Sequence, residues 1–276
     1  MLDKLQDTKM KRDIVQKKLN ELYNDYFVKR YEEICENIDL DIIEKLSTPY
    51  LLSIPEEYFS GKRIWYVGQE AFEYYGYYKK TFIEKKDRPF FPELDAVDYA
   101  VSVHKKFFDE GMINSPIWNF FKKLDETASK KILCNNIYKF SYVEAGQSPN
   151  SKLFKNKKQR EQYLKPLYEL QRDVLLKELE ILKPDVVLFM TGNPNDPLFF
   201  DNIGKDDIKY DSKVYNVKYE DVPEMIAEGV DKWKFGRLVH DKFPKESYRT
   251  YHPGYLQRNP ELHNLVLPFL KNIVQK

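Results

Sequence analysis

Cysteine is nearly absent from this chain of 276 residues, which has only Cys35 and Cys134. Two thiols so far apart exclude a disulfide framework, an all-cysteine zinc site and an iron–sulfur cluster. Histidine is almost as scarce. His104, His240, His252 and His263 form no His-x-x-x-His pair, which disfavours a metal enzyme, and neither metal nor cofactor is expected. No apolar run approaches the ~20 residues of a membrane helix. The opening MLDKLQDTKMKRD has no signal-peptide hydrophobic region. The expectation is a soluble, cytoplasmic protein with no membrane partner. An excess of one charge is also missing, since 45 Lys and Arg face 44 Asp and Glu for a net +1. That balance rules out a histone-like polycation but leaves room for a local basic patch.

Hydrophobic residues make up 42% of the chain, enough for a packed core. Residues 1–50 read as a helical extension packed on the remainder of the chain. Val15, Leu19, Leu22 and Tyr26 step by three and four, as do Tyr31, Ile34, Ile38 and Ile42, before a stop at Ser47-Thr48-Pro49. The texture then changes. Arg63–Val67 before Gly68, Lys131–Asn136 and Val186–Thr191 are short β-favouring runs, and Arg249–Tyr251 suggests a fourth. An amphipathic helix with Leu167, Leu170, Val174, Leu175, Leu179 and Leu182 on its face stops at Lys183-Pro184, ahead of the third strand. This alternation predicts an α/β domain over residues 51–276. Its form would be three layers, α/β/α, around a mostly parallel sheet of about four strands. Two segments stand out by charge. Residues 152–165 carry net +5 and residues 201–231 net −5; both are expected as solvated loops unless the basic one flanks a nucleic acid.

Ligands of parallel sheets gather at the carboxyl ends of the strands. Each predicted strand ends in polar or glycine residues: Gly68-Gln69-Glu70, Asn135-Asn136, Thr191-Gly192-Asn193 and His252-Pro253-Gly254. Together these ends offer a carboxylate (Glu70), an amide (Asn136) and an imidazole (His252). A carboxylate can activate water or stabilise a cation, an amide can read a donor–acceptor pair, and a histidine can stabilise an oxyanion. Such a trio suits hydrolytic release of a group that leaves as an anion. Trp65 and Trp118 read as core residues. Phe90-Phe91, between two prolines, could either pack or stack on a base.

The order of these segments resembles the uracil-DNA glycosylase superfamily. Ile64-Trp65-Tyr66-Val67-Gly68-Gln69-Glu70-Ala71-Phe72 is similar to that family's strand leading into Gly-Gln-Asp-Pro-Tyr. Ser115–Leu124 resembles its Pro-Ser-Leu-x-Asn helix, and Ile132–Lys139 the strand ending in a base-reading Asn. Leu179–Gly192 is similar to the helix and third strand, which end in Gly. His252-Pro253-Gly254-Tyr255-Leu256 resembles His-Pro-Ser-Pro-Leu. The five segments span roughly residues 62–270.

The resemblance implies a role for each matching position. Glu70 would activate water, and His252 would stabilise the departing base anion. Gln69, Phe72 and Asn136 would form the base pocket, and Leu256 would be the wedge that fills the gap left by a flipped nucleotide. Independently of the resemblance, if the net +5 run flanks a nucleic acid, Lys155, Lys157, Lys158 and Arg160 would contact DNA. The implied activity is hydrolysis of the N-glycosidic bond of a damaged or deaminated base in DNA, without metal or cofactor. The alternative is a non-catalytic nucleic-acid or nucleotide-binding homologue with the same fold. The chain departs from the family pattern at Glu70 (for Asp), Ala71 (for Pro), Phe72 (for Tyr) and Gly254-Tyr255 (for Ser-Pro), so the base recognised stays open.

Overall fold

The computed structural model describes residues 2–38, 40–68, 76–109, 116–125, 127–141, 173–192 and 217–275. It is an α/β structure built on one six-stranded mixed sheet. In chain order the described helices begin with α1 (Leu2–Tyr23), α2 (Tyr31–Asn37) and α3 (Leu40–Ile43), with a π-helical turn at Asn24–Val28 between the first two. Strand β1 (Ile64–Gly68) is followed by a second π-helical turn at Tyr78–Ile83, then α4 (Ala96–Asp109), α5 (Pro116–Leu124) and α6 (Ala128–Lys131). Next come β2 (Leu133–Asn136), α7 (173–182) and β3 (Val186–Phe189). The chain ends with β4 (Lys218–Asp221), α8 (Pro223–Ala227), β5 (Phe235–Val239), β6 (Glu246–Thr250), α9 (Pro253–Arg258) and α10 (Pro260–Gln275).

The sheet order is β2-β1-β3-β6-β5-β4. The first four strands correspond to the four expected from the sequence, the last lying at Glu246–Thr250 where Arg249–Tyr251 was expected, and neighbours among them are parallel. The expectation of a mostly parallel sheet of about four strands is corrected by β5 and β4, which add antiparallel to β6 and to each other. Their composition explains why they were missed. Strand β4 reads Lys-Tyr-Glu-Asp with mostly exposed side chains, and β5 carries Gly236 and Arg237. Neither presents the unbroken apolar run that marks a strand buried on both faces.

Alternation along the strands sorts the core into two clusters. Trp65 and Val67, Leu133, Val187 and Phe189 face one way, against Leu19, Tyr23, Phe27, Ile42, Val101 and Leu179 from the helices. Ile64 and Tyr66, Cys134, Val186 and Leu188 face the other, against Trp118, Phe121, Met225, Leu256 and Leu270. Helices therefore cover both faces, as period-two alternation with two apolar faces requires. Residues 1–50 are helical over most of their length, and from Leu19 onward they share the first cluster with the sheet. Trp65 and Trp118 are core residues, 0% and 5% exposed. Phe91 packs against the cluster of Tyr50, Tyr99 and Val103.

Backbone hydrogen bonds flank the outer edge of β2 on both sides. Tyr50 N–H donates to the Lys139 carbonyl and Glu57 N–H to the Lys130 carbonyl, at 2.7 and 2.9 Å. Between them the buried His104 accepts from Ser53 N–H at Nδ1 (3.2 Å), which leaves the proton on Nε2 to donate to the Cys134 carbonyl (3.0 Å). At α7 the chain stops as the sequence suggests: Lys183 adopts φ 46°, the left-handed turn-off, before Pro184.

Candidate functional site

The parallel strands run in register, so Gly68 lies beside Asn136, and Val67, Phe189 and Arg249 line up across β1, β3 and β6. All four carboxyl ends therefore open on one edge. Asn136 ends β2, and His252 comes two residues after the end of β6. Strands β1 and β3 lie between them, so three inter-strand steps separate the two chain ends by roughly 14 Å. Across that distance both residues sit at the same edge of the sheet.

Gly68 is the floor on the β2 side. A Cβ there would sit 2.5 Å from Asn136 Oδ1 and 3.3 Å from Tyr66 Cε1. Only a residue without a side chain lets the Asn136 amide lie across the end of β1. Asn136 is on the same face as Tyr66 and Cys134, while its neighbour Asn135 points to the opposite face. There Asn135 Nδ2 donates to Glu178 Oε1 (3.0 Å), and the same oxygen accepts from Tyr23 Oη (2.6 Å). Asn135 Oδ1 in turn accepts from the backbone N–H of Asn136 (2.7 Å). The end of β2 is thereby tied to α7 and, through Tyr23, to α1. Burial and the Glu178 carboxylate raise the Tyr23 hydroxyl well above its ordinary pKa, so it stays a donor.

His252 caps α9. Its Nδ1 accepts from the Gly254 N–H at 3.0 Å, and its carbonyl accepts from Tyr255 and Leu256 N–H. The cap fixes the tautomer: with Nδ1 accepting, the proton of the neutral ring resides on Nε2. Burial, and then the Arg258 cation, push the His252 pKa below the ordinary value, which favours that neutral ring. Gly254 is tight as well, since a Cβ would approach Nδ1 to 3.2 Å and the Pro116 Cβ to 3.7 Å. The start of α5 thus packs on the His252 turn, and Gln257 Nε2 reaches the Pro116 carbonyl at 3.4 Å.

Asn136 and His252 are therefore brought to one edge of the sheet. Gln69, Glu70 and Phe72 come after Gly68 in sequence but lie outside the described residues, as do Lys155, Lys157, Lys158 and Arg160. Leu256 requires a correction. It is 0% exposed and packs in the second core cluster, so the side chain expected to act as a wedge is a core residue of α9. Tyr255 is the exposed large side chain of that turn, at 39%, and its ring stacks on Tyr251 with centroids 4.3 Å apart.

Sequence reading missed the Tyr23–Asn135–Glu178 network. Its signal was a carboxylate at position 178, on the apolar stripe of Val174, Leu175 and Leu182. No protein-family model matches the chain, and no curated protein matches it. No described helix is long and apolar enough to cross a membrane.

Proposed function

We propose that the chain is a DNA glycosylase of the uracil-DNA glycosylase type, a three-layer α/β/α domain that hydrolyses the N-glycosidic bond of a damaged or deaminated base. The observation that carries this reading is the capping geometry of His252. Its cap holds Nδ1 as an acceptor and leaves Nε2–H as the donor, at the same sheet edge as the Asn136 amide. A base leaving as an anion gains most from a donor already oriented before charge develops. In this reading Asn136 pairs with the base edge. Glu70, two residues after Gly68, activates water and supports the cationic sugar, and Gln69 and Phe72 complete the pocket. No metal or cofactor takes part.

One observation favours the second reading, a non-catalytic nucleic-acid or nucleotide-binding homologue. With Leu256 in the core, the His252 turn has lost the wedge that props open a duplex after flipping.

The two readings part on one experiment. Oligonucleotides carrying a single uracil, hypoxanthine or other modified base are incubated with the protein and treated with alkali, which breaks the strand at abasic sites. Strand breaks at one of the modified positions are the expected result. Binding without breaks across the whole panel would establish the second reading.

A further inference from the structure

Beside the His252 turn lies a cavity of about 500 Å³ between α9, the start of α10 and the segment after α8. Its walls include the stacked pair Tyr251 and Tyr255, the cations Lys234 and Arg258, and the carboxylates Glu228 and Glu261. Lys234, Arg258, Glu228 and Glu261 form no ion pair among the described residues. These four charges line one cavity, next to an aromatic face that is 39% exposed at Tyr255. Tyr251, which precedes His252 in the chain, is one of the lining residues, so the cavity adjoins the candidate site.

We infer that this cavity is a second nucleotide subsite, which holds an unpaired nucleotide next to the one whose base enters the site. Choosing a nucleotide over other phosphorylated aromatic compounds rests on the nucleic-acid reading above. The chemistry of the walls matches the parts of one nucleotide. An exposed tyrosine backed by a second ring offers a flat stacking face to any base. Lys234 and Arg258 supply the charge for one phosphate, with Arg258 able to grip two oxygens at once. Glu228 and Glu261 are acceptors for the N–H groups of a base edge, and they disfavour a second phosphate beside the first. Bases stacked within a duplex cannot lie on Tyr255, so the subsite selects single strands. That selection compensates for the buried Leu256, because a single strand needs no wedge.

The test uses the full chain and fluorescein-labelled dT12, read by anisotropy, with a duplex of equal length as comparison. Wild type should bind dT12 more tightly than the duplex. Tyr255→Ala should weaken binding of dT12 roughly 5- to 100-fold, and Tyr255→Phe should leave it near wild type. Arg258→Gln should weaken it and lower the log K against log[salt] slope by about 0.7, the value for one single-strand phosphate. These residues lie on the surface of the turn, and unchanged melting temperatures would confirm that the variants are folded. Wild-type affinity for dT12 in Tyr255→Ala, an unchanged slope in Arg258→Gln, or preference for the duplex would overturn the inference. Base release is scored separately: release with unaltered dT12 binding in the variants sinks the subsite alone. Tight, Tyr255-dependent dT12 binding without release sinks only the glycosylase reading.

Discussion

Lys139 and Glu178 form an ion pair of 2.7 Å with both side chains fully buried. The carboxylate is also the acceptor for Tyr23 and Asn135, so one buried charge pair joins α1, α7 and the end of β2. Burial lowers the pKa of Lys139, and Glu178 is the neighbour that opposes the shift. A buried pair of this kind is costly to break from one side, because the remaining charge has no water to return to.

Glu178→Gln should therefore destabilise the protein by about 3–5 kcal/mol in urea denaturation. Adding Lys139→Met should recover much of that loss, since the glutamine still accepts from Tyr23 and Asn135 and no lone charge remains. A single variant within about 1 kcal/mol of wild type would show that water reaches the pair.

His104 gives stability a pH dependence of known sign. Burial depresses its pKa from 6.5 to about 3. The unfolded chain therefore binds the proton first. Stability from this residue is complete above about pH 6.5 and is lost as pH falls toward 3. Between pH 6.5 and 4.5 the wild type should lose about 2 kcal/mol more than His104→Gln. Denaturation curves at the two pH values measure the difference, and equal losses would mean that His104 is charged in the fold.

Gly68→Ala separates stability from function. The new Cβ meets the end of the Asn136 side chain, which can swing aside, rather than fixed backbone. Melting temperature should change little, by the equivalent of about 1 kcal/mol. Base release or ligand binding through Asn136 should fall at least tenfold. A variant with full activity would remove Asn136 from the site.

For a glycosylase, His252→Ala should cut single-turnover excision by roughly 10²–10³ with binding nearly intact. Protonation would turn Nδ1 into a donor and break its cap with Gly254 N–H, and because the pKa is lowered, wild-type excision should hold level as pH drops through 6.5. The fall should come only below that. A rate that already drops at neutral pH would mark some other group as the titrating one.

Among the parallel strands, β1 and β3 were the most legible because each is apolar on both faces. Val186–Phe189 and Ile64–Val67 are buried throughout and could hardly be anything else. Strands β4 and β5 were not legible, since a half-exposed strand carrying Lys218, Glu220 and Arg237 reads like a polar loop. Placement was legible at strand ends: Asn136 and His252 fall at one edge of the sheet, as their positions after apolar runs suggest. It was illegible where position depends on packing: a leucine after a His-Pro-Gly turn looks the same in sequence whether α9 buries it or offers it to a partner. Asn135 was hidden for a related reason. Two adjacent asparagines must point to opposite faces, and only the fold shows which one faces the buried Glu178.

The two flanks of the sheet bear on how copies of this protein can meet. On the β2 side, the ring of His104 occupies the Cys134 carbonyl, and Tyr50 and Glu57 bond to the backbone just beyond either end of the strand. On the β4 side the outermost strand is four residues long and presents Lys218, Glu220 and Asp221 to water. Short, charged or covered borders resist the addition of a further strand. Among the described residues, both borders of the sheet therefore resist continuation into a second copy by strand addition.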